Sequence, residues 1–227
     1  MSLSDELRLH ADEEYRAFSS RLCTSAYPMI GVRLPTLRAI AKRYAHRAGE
    51  LLATDPESFE EVMVTGLAIA YADVTEQERI GLLRAFVRLI DNWSVNDSVA
   101  STLKGFQKDA EGALAFCQEL VQSIEPFAQR FGIVIAFTHF GHSCPDRVLR
   151  LIEKAQSTHY YVRMAVAWAY ATMLAVAPQK TLLAVEKSGI DPVTAKMLVS
   201  KARQSYRVTA EQVNELKNAL CRSAEKD

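Results

Sequence analysis

An all-α fold is the class that this sequence predicts, and three observations support it. Apolar residues recur at spacings of three and four along most of the 227 residues, which is the period of one helix face. Helix start and stop signals separate these segments, and no stretch has the alternating pattern of a strand or hairpin. We expect about eleven or twelve helices of roughly 10 to 18 residues, joined by the short turns that connect antiparallel helices.

The composition is that of a folded globular protein, with 49% hydrophobic and 24% charged residues and only nine Gly and seven Pro. The length allows one large domain or two small ones. No stretch is rich enough in Pro, Gly or Ser to predict a linker. We therefore expect a single domain over residues 1–227.

The chain is expected to be cytoplasmic, without membrane contact. Its first fifteen residues are acidic and broken by charges, which predicts a first helix and not a secretion signal. The longest apolar stretch, Met164 to Ala177, is shorter than the roughly 20 residues that span a bilayer. Because Pro178 ends this stretch, we interpret it as a buried helix.

Four segments carry signals for the start of a helix. In two of them, an aspartate precedes a proline, which suits a capping residue followed by the first helical position. In the other two, a threonine is followed three residues later by Glu or Gln, the spacing of a capping box. The four segments are Asp55-Pro56, Asp191-Pro192, Thr75–Glu78 and Thr209–Gln212.

Cysteine usage and histidine spacing give no support for a metal or a cofactor, and we expect neither. The cysteines have no CxxC spacing, which indicates reduced thiols in a cytosolic protein. They are Cys23, Cys117, Cys144 and Cys221. Three potential ligands lie within residues 139–144, but Gly141 and Pro145 mark a helix end and a helix start, so a turn explains this segment.

The net charge of zero conceals an uneven distribution. Residues 1–125 hold 13 Lys and Arg against 19 Asp and Glu, a net charge of −6, and residues 126–227 hold 14 against 8, a net charge of +6. This polarity can orient a charged partner, but it is weaker than the basic excess of a dedicated nucleic-acid-binding protein. Charge alone therefore permits DNA as a partner without requiring it.

The segment IDNWSVND, residues 90–97, predicts a helix with two different faces. On a helical wheel, the core stripe consists of Val95, Val99, Leu103 and Phe106. The opposite face carries Trp93, Asp97, Ala100 and Lys104. A tryptophan there forgoes burial worth a few kcal/mol unless something else contacts it. Either a second helix layer covers Trp93 while Asp97 caps a neighbour, or the two side chains offer an aromatic wall and a carboxylate to a substrate.

Two further side chains raise the same choice between structure and function. The neighbours of Trp168 three and four residues away are mostly small, so its indole either packs in the core or stands over a recess. Arg130 lies in an apolar segment, and a buried guanidinium needs a carboxylate, backbone carbonyls or a bound anion. Asp97 is one candidate partner, in an ion pair that locks two helices, and a phosphate is another.

Five segments, in their order and spacing, resemble the DNA alkylation repair proteins built from HEAT-like helical repeats, the group of alkylpurine DNA glycosylases. They are GVRLPTLRAIAKRY (31–44), DNWSVND (91–97), QRFGIVIAF (129–137), HYYVRMAVAWAY (159–170) and KARQSYRVT (201–209). The resemblance runs from about residue 25 to 210. It implies a curved right-handed α-solenoid of antiparallel helix pairs, which periodicity alone does not distinguish from a bundle.

The resemblance also implies a reaction and its residues. Matched motif to motif, Trp93, Asp97, Arg130 and Trp168 would gather at a damaged nucleotide in double-stranded DNA that contains alkylated bases. An N3- or N7-alkylated purine is already cationic, so a carboxylate such as Asp97 would mainly stabilise the oxocarbenium ion that forms on the sugar. The two indoles would face the cationic sugar or base, and Arg130 would hold a phosphate.

A DNA groove is also expected to carry basic side chains. The alternative is that these side chains simply form a solvated helix face. The candidates are Arg163, Lys104, Lys196, Lys201, Arg203 and Arg207.

Three hypotheses follow for the whole chain. The first is a monomeric, metal-independent glycosylase, the second a non-catalytic relative that binds branched or distorted DNA, and the third a helical-repeat scaffold for another protein.

Overall fold

The computed structural model describes residues 2–155 and 157–224, and within these residues it is all helical, without a strand. The α-helices are α1 (Leu3–Arg8), α2 (Glu13–Leu22), α3 (Leu34–Tyr44), α4 (Ala48–Leu52), α5 (Phe59–Tyr71), α6 (Glu76–Phe86), α7 (Trp93–Ala100), α8 (Ala110–Val121), α9 (Pro126–Phe140), α10 (Pro145–Glu153), α11 (Tyr160–Val176), α12 (Pro178–Lys187), α13 (Pro192–Gln204) and α14 (Ala210–Ala224). Three short 3-10 helices lie at Ala45–Arg47, Val87–Leu89 and Lys104–Asp109.

The all-α class is therefore confirmed, although the expected number of helices is too low. The described residues form fourteen α-helices, and α1, α4, α7 and α10 have six, five, eight and nine residues. Helices this short give little periodic signal, so the sequence merges them with their neighbours. The acidic N-terminal segment shows this directly, because it forms α1 and the start of α2, with Asp12 accepting a hydrogen bond from the Tyr15 N–H at 2.9 Å.

Contacts between helices divide the chain into an N-terminal unit, Met1–Ala113, and a C-terminal unit, Leu114–Asp227. In the N-terminal unit, α5 lies between α3 and α7, while α4 and α6 contact each other and pack on α5. In the C-terminal unit, α9, α11 and α13 form one layer and α10, α12 and α14 form a second, with successive helices paired across the layers. Such paired, stacked helices are the packing of helical repeats. The single domain, its curvature and its handedness stay predictions.

Three of the four predicted helix starts are confirmed. Thr75 and Thr209 each begin a capping box: the hydroxyls accept from the N–H groups of Glu78 and Gln212, both at 3.2 Å. The return bonds run from the threonine N–H groups to the Glu78 and Gln212 side chains, both at 2.9 Å. Asp191 caps α13 by accepting from the N–H of Val193 at 3.0 Å. These bonds pair backbone donors that would otherwise have no partner in the first turn.

The helix start at Asp55-Pro56 is wrong, because α5 begins three residues later. Ser58 is the cap, and its hydroxyl accepts a hydrogen bond from the Glu61 N–H at 3.2 Å. The N–H of Glu57 donates instead to the Glu61 carboxylate at 2.6 Å. A serine followed three residues later by an acidic side chain competes successfully with the Asp-Pro signal that precedes it.

A buried carboxylate fixes the segment between α2 and α3. Glu60, on α5, is only 2% exposed, and its carboxylate accepts hydrogen bonds from the N–H groups of Ile30 (2.9 Å), Gly31 (2.7 Å) and Val32 (3.2 Å). Gly31 has a φ of 97°, and a Cβ there would lie 2.4 Å from the carbonyl oxygen of Asp12. Glycine is therefore required, and α5 holds the chain that leads from α2 into α3.

In the C-terminal unit, α8 and α9 approach closely at Gly132. A Cβ at this position would lie 2.7 Å from the Cys117 carbonyl oxygen and 3.0 Å from the Cβ of Leu120. The apolar stretch that ends before Pro178 forms α11, as expected. Among the described helices, none combines the length and the apolar character needed to cross a membrane.

Candidate functional site

Helix α7 presents Trp93 and Asp97 on a partly open face, as the helical wheel predicts. The helix begins at Trp93, and the Asn92 side chain caps it by accepting from the Val95 N–H at 2.9 Å. All four predicted core residues are fully buried: Val95, Val99, Leu103 and Phe106. Trp93 and Asp97 are half-buried. The indole and the carboxylate lie one turn apart, so both can contact a molecule on this side of α7.

Two members of the predicted face are corrected. Ala100 is fully buried, since its methyl group is short enough for the surrounding side chains to cover it. Lys104 is not part of α7, because that helix ends at Ala100. The hydroxyls of Ser101 and Thr102 close its last turn by donating hydrogen bonds to the carbonyl oxygens of residues 97 and 98, at 2.7 Å each. Lys104 starts a separate 3-10 helix, and its side chain lies outside the part of the chain that is described.

The end of α2 holds the indole of Trp93 from a second direction. Its Nε1–H donates a hydrogen bond to the carbonyl oxygen of Leu22 at 3.3 Å. The following residues are tied to the start of α7, because the Asp91 carboxylate accepts from the Ser25 hydroxyl at 2.9 Å and from the Ala26 N–H. The Leu22 carbonyl therefore orients the indole of Trp93, which reduces the freedom of the ring before any ligand binds.

Cys23 lies beside this face but is not suited to act as a nucleophile. It is buried, and its Sγ donates to the Asn92 side-chain oxygen at 3.3 Å. Burial, with smaller contributions from the charges of Asp91 and Asp97, raises the pKa of Cys23. The thiol consequently stays protonated at neutral pH, and the thiolate is the form that attacks an electrophile. Asp97 is the better candidate for chemistry on this side of α7.

In the C-terminal unit, Arg130 of α9 is 6% exposed and bound to backbone. Its Nη1 donates to the carbonyl oxygen of Tyr161, in the first turn of α11, at 2.8 Å. A backbone carbonyl is one of the three kinds of partner that the sequence predicts for this guanidinium. The bond fixes the side chain between α9 and α11.

An aromatic cluster surrounds this end of α9 and α11, and sequence reasoning missed it. Its ring centroids are 5.4 Å apart for Phe127 and Tyr161, 5.9 Å for His159 and Tyr161, and 5.3 Å for Tyr160 and Tyr161. Tyr160 and His159 are exposed. The sequence signal is the run HYY at the start of α11, whose meaning depends on the partner ring from α9. Exposed rings of this kind suit stacking against nucleic-acid bases.

Trp168 of α11 is half-buried, so its exposure lies between that of an indole packed in the core and that of an indole standing over a recess. Its ring lies edge-on to Phe137 of α9, with centroids 4.8 Å apart and an angle of 68° between the planes. Phe137 follows Arg130 by about two helical turns, on the same side of α9. A half-buried stripe along α11 comprises Tyr161, Met164, Trp168 and Thr172. Arg130 and Trp168 therefore border the same stripe within the C-terminal unit.

The basic candidates lie in different surroundings. Arg163 forms an ion pair with Asp191, with Nη2 and Oδ1 3.2 Å apart, and it lies about 140° around α11 from Trp168. Lys196 and Arg203 are on one side of α13, Lys201 is half-buried elsewhere on that helix, and Arg207 follows it, exposed. Arg163 is thus part of a different surface from Trp168. A DNA contact by any of these residues stays a prediction.

Potential metal ligands do not assemble in the described part of the chain, where no group of three His, Cys, Asp or Glu side chains could hold an ion. The segment with three potential ligands is a turn: α9 ends at Phe140 with Gly141 as its cap, and α10 begins at Pro145. The helix end and the helix start lie where the sequence predicts them.

The fold and these side chains define a class: paired, stacked helices whose open faces carry aromatic, acidic and basic groups. The model of the DNA alkylation repair enzyme family matches residues 3–220, nearly the whole chain. The chain belongs to this family, which confirms the resemblance and indicates a role in DNA alkylation repair with DNA as the partner. No curated protein is similar enough to the chain to be counted as a match.

Proposed function

We propose that the protein binds damaged duplex DNA and hydrolyses the N-glycosidic bond of N3- or N7-alkylated purines. The observation that supports this function best is the face of α7, where a half-buried carboxylate, Asp97, lies one turn after a half-buried, oriented indole, Trp93. Membership of the DNA alkylation repair enzyme family supports the proposal that this face meets an alkylated nucleotide. In this proposal Arg130 and Trp168, in the C-terminal unit, contact the same DNA molecule.

The chemistry of the substrate suits this small set of groups. An alkylated purine carries a positive charge and is a good leaving group, so the reaction does not need a strong general acid. The bond from C1′ to the base breaks, the electron pair leaves with the base, and the sugar becomes an oxocarbenium ion. A carboxylate fixed beside the sugar stabilises a charge that grows only on the way to the transition state, and it can also orient the attacking water.

The remaining side chains have supporting roles. The quadrupole of an indole attracts a cationic sugar or base, with about 0.5–2 kcal/mol per contact. Trp93 is oriented by the Leu22 carbonyl and Trp168 by Phe137, so both rings hold their positions before DNA binds. Arg130 is placed by the Tyr161 carbonyl, and a guanidinium has the geometry to bind a backbone phosphate as well.

The test is release of N7-methylguanine from a duplex that contains it, measured under single turnover for the wild type, Asp97→Asn and Asp73→Asn. Asp73 is an exposed aspartate before α6 and serves as the matched control. We expect Asp97→Asn to lower the rate by about 100-fold or more, the usual effect of removing one preorganised electrostatic partner. Asp73→Asn should keep the wild-type rate. Thermal unfolding of each variant shows whether the fold is retained.

Two outcomes would replace this proposal. If the wild type releases no base but binds branched duplexes more tightly than linear ones, the protein is a non-catalytic DNA-binding relative. If it shows no salt-dependent binding to any duplex, the scaffold hypothesis is preferred. Binding through phosphates releases counterions, so log K should fall with log salt by about 0.9 per neutralised phosphate, whereas a protein scaffold gives no such slope for DNA.

A further inference from the structure

A cationic cluster lies within the N-terminal unit, on helices that pack side by side. It consists of Arg38 and Lys42 on α3, Tyr71 at the end of α5, and Thr102 just after α7. Lys42 Nζ lies 5.4 Å from the centre of the Tyr71 ring. Lys42 is exposed, and the other three side chains are half-buried. We call these four residues the Arg38 cluster, and all of them can be reached from solvent.

Two neutral hydroxyls hold one nitrogen of the Arg38 guanidinium. Nη1 donates to the Tyr71 hydroxyl at 3.2 Å and to the Thr102 hydroxyl at 2.8 Å, which uses both of its hydrogens. Three of the five N–H donors of an arginine remain, on Nε and Nη2. No residue in the described part of the chain accepts from these two nitrogens, and neither of them is a buried atom without a partner, so both reach solvent.

The edge of the guanidinium that stays open is suited to an oxyanion. Nε–H and one N–H of Nη2 are parallel, and together they form the fork that binds two oxygens of a phosphate or carboxylate. The bonds from Nη1 fix the plane of the guanidinium. The Thr102 hydroxyl is itself fixed, because it donates to the Ser98 carbonyl oxygen at 2.7 Å. A fork that is already oriented loses less side-chain freedom on binding than a mobile arginine does.

The N-terminal unit is rich in carboxylates, so the lack of one at the Arg38 cluster is informative. Residues 1–125 have a net charge of −6. Neither Arg38 nor Lys42 forms an ion pair with a described residue, and these two cations, four residues apart on one helix, repel each other. A bound anion would remove this repulsion. Five other arginines of the unit are paired with carboxylates: Arg16, Arg33, Arg43, Arg47 and Arg79.

We propose that the Arg38 cluster binds a phosphate group of the DNA backbone, with the Arg38 fork on two phosphate oxygens and Lys42 as a second positive charge. Thr102 follows Asp97 by five residues, about one and a half helical turns. The cluster therefore lies at the C-terminal end of the helix that presents Trp93 and Asp97, and a strand that passes Asp97 can continue to Arg38. The inference rests on the DNA binding in the proposed function and does not depend on base release.

The first experiment measures binding of an undamaged, labelled duplex by fluorescence anisotropy over a series of salt concentrations. Arg38→Gln should weaken binding about 10-fold or more and lower the slope of log K against log salt by about 0.9, the effect of one phosphate contact. Arg38→Lys keeps the charge but not the fork, so the slope should stay while the affinity falls. The matched control is Arg47→Gln, which removes the same charge from an exposed arginine paired with Glu50 and should bind as the wild type does.

The second experiment tests whether Tyr71 positions the fork. Tyr71→Phe removes one acceptor of Nη1 and keeps the ring beside Lys42 and every charge. We expect the affinity for the duplex to fall several-fold at an unchanged salt slope. In the Arg38→Gln background the same change should have no further effect, because the two residues act through one contact. Losses that add in the double variant would show that Tyr71 does not act through Arg38 and would overturn this assignment.

Three results would overturn the inference as a whole. If Arg38→Gln has the affinity and slope of Arg47→Gln, Arg38 only links the three helices. If the wild type binds no duplex, the phosphate is not that of DNA. If millimolar inorganic phosphate, without DNA and at constant ionic strength, binds the wild type saturably and Arg38→Gln does not, the site takes free phosphate.

A variant at the exposed Lys42 keeps the inference testable if Arg38→Gln does not fold. Lys42→Gln should lower the salt slope by up to about 0.9, and a slope equal to that of the wild type would refute the phosphate contact. The reaction is judged separately. If duplex binding depends on Arg38 and no alkylated base is released, the proposed glycosylase activity is wrong and the phosphate site stands.

Discussion

The buried carboxylate of Glu60 offers the sharpest test of how the N-terminal unit is held together. Glu60→Gln keeps the size of the side chain, and its amide oxygen can still accept from Gly31 and Val32. Its NH₂ group, however, takes the position of Oε2 and meets the N–H of Ile30, which now lies 2.9 Å from that oxygen. One charge-assisted hydrogen bond is lost, and the other two become neutral.

The magnitude follows from these three bonds. A hydrogen bond to a charged group contributes about 1.5–3 kcal/mol, and a neutral one about 0.5–1.5 kcal/mol. Losing one charged bond and weakening two costs about 3.5–6 kcal/mol, which the lower desolvation penalty of an amide reduces to about 3 kcal/mol. For a chain of this length, that corresponds to a melting temperature lower by about 6–12 °C.

The assay is thermal unfolding at neutral pH, followed by far-ultraviolet circular dichroism. Glu57→Gln is the matched control, because Glu57 is exposed and precedes the helix that carries Glu60. It should melt within about 1 °C of the wild type, as ordinary surface substitutions do. A Glu60→Gln protein that melts together with this control would refute the argument that the carboxylate fixes residues 30–32.

Two other predictions concern the C-terminal unit. Gly132→Ala should destabilise the protein by about 1–3 kcal/mol, because the added methyl group would lie 2.7 Å from a backbone carbonyl oxygen of α8. The control is Gly49→Ala, where a Cβ meets nothing within 4 Å. Equal melting temperatures of the two variants would contradict the close approach of α8 and α9. Burial tends to raise the pKa of Asp191, but hydrogen bonds from Thr194 and Val193 and the charge of Arg163 outweigh it and lower that pKa. The wild type should therefore be more stable than Asp191→Asn above pH ~4, the ordinary pKa of an aspartate in the unfolded chain, and should lose this advantage as the pH falls further. The measurement is the free energy of unfolding of both proteins from pH 7 downward. A difference that stayed constant over this range would refute the prediction.

Local signals in the sequence predict helix ends and faces where one helix contains the whole interaction. The capping boxes at Thr75 and Thr209 are confirmed because both partners lie within four residues. The buried stripe through Val95 and Val99 is confirmed because a core face repeats with the helical period. The wheel fails at Lys104 because α7 ends four residues earlier, and nothing in the apolar spacing marks that end.

Interactions between helices explain what the sequence does not predict. Glu60 reads as one of several acidic residues at the start of α5, and its partners lie about thirty residues earlier, at positions 30–32. The aromatic cluster needs Phe127 from α9 and Tyr161 from α11, which are 34 residues apart. Neither pairing has a periodic or motif signature, so each becomes visible only when the helices are packed.

The same reasoning applies to the candidate site, where main-chain atoms position the side chains. Trp93 binds the carbonyl of Leu22, and Arg130 binds the carbonyl of Tyr161. Every residue supplies the same backbone carbonyl, whatever its side chain. The identities of the residues at positions 22 and 161 therefore carry no information about these bonds. The sequence can therefore indicate which indole and which guanidinium are functional candidates, while the helices that orient them follow only from the fold.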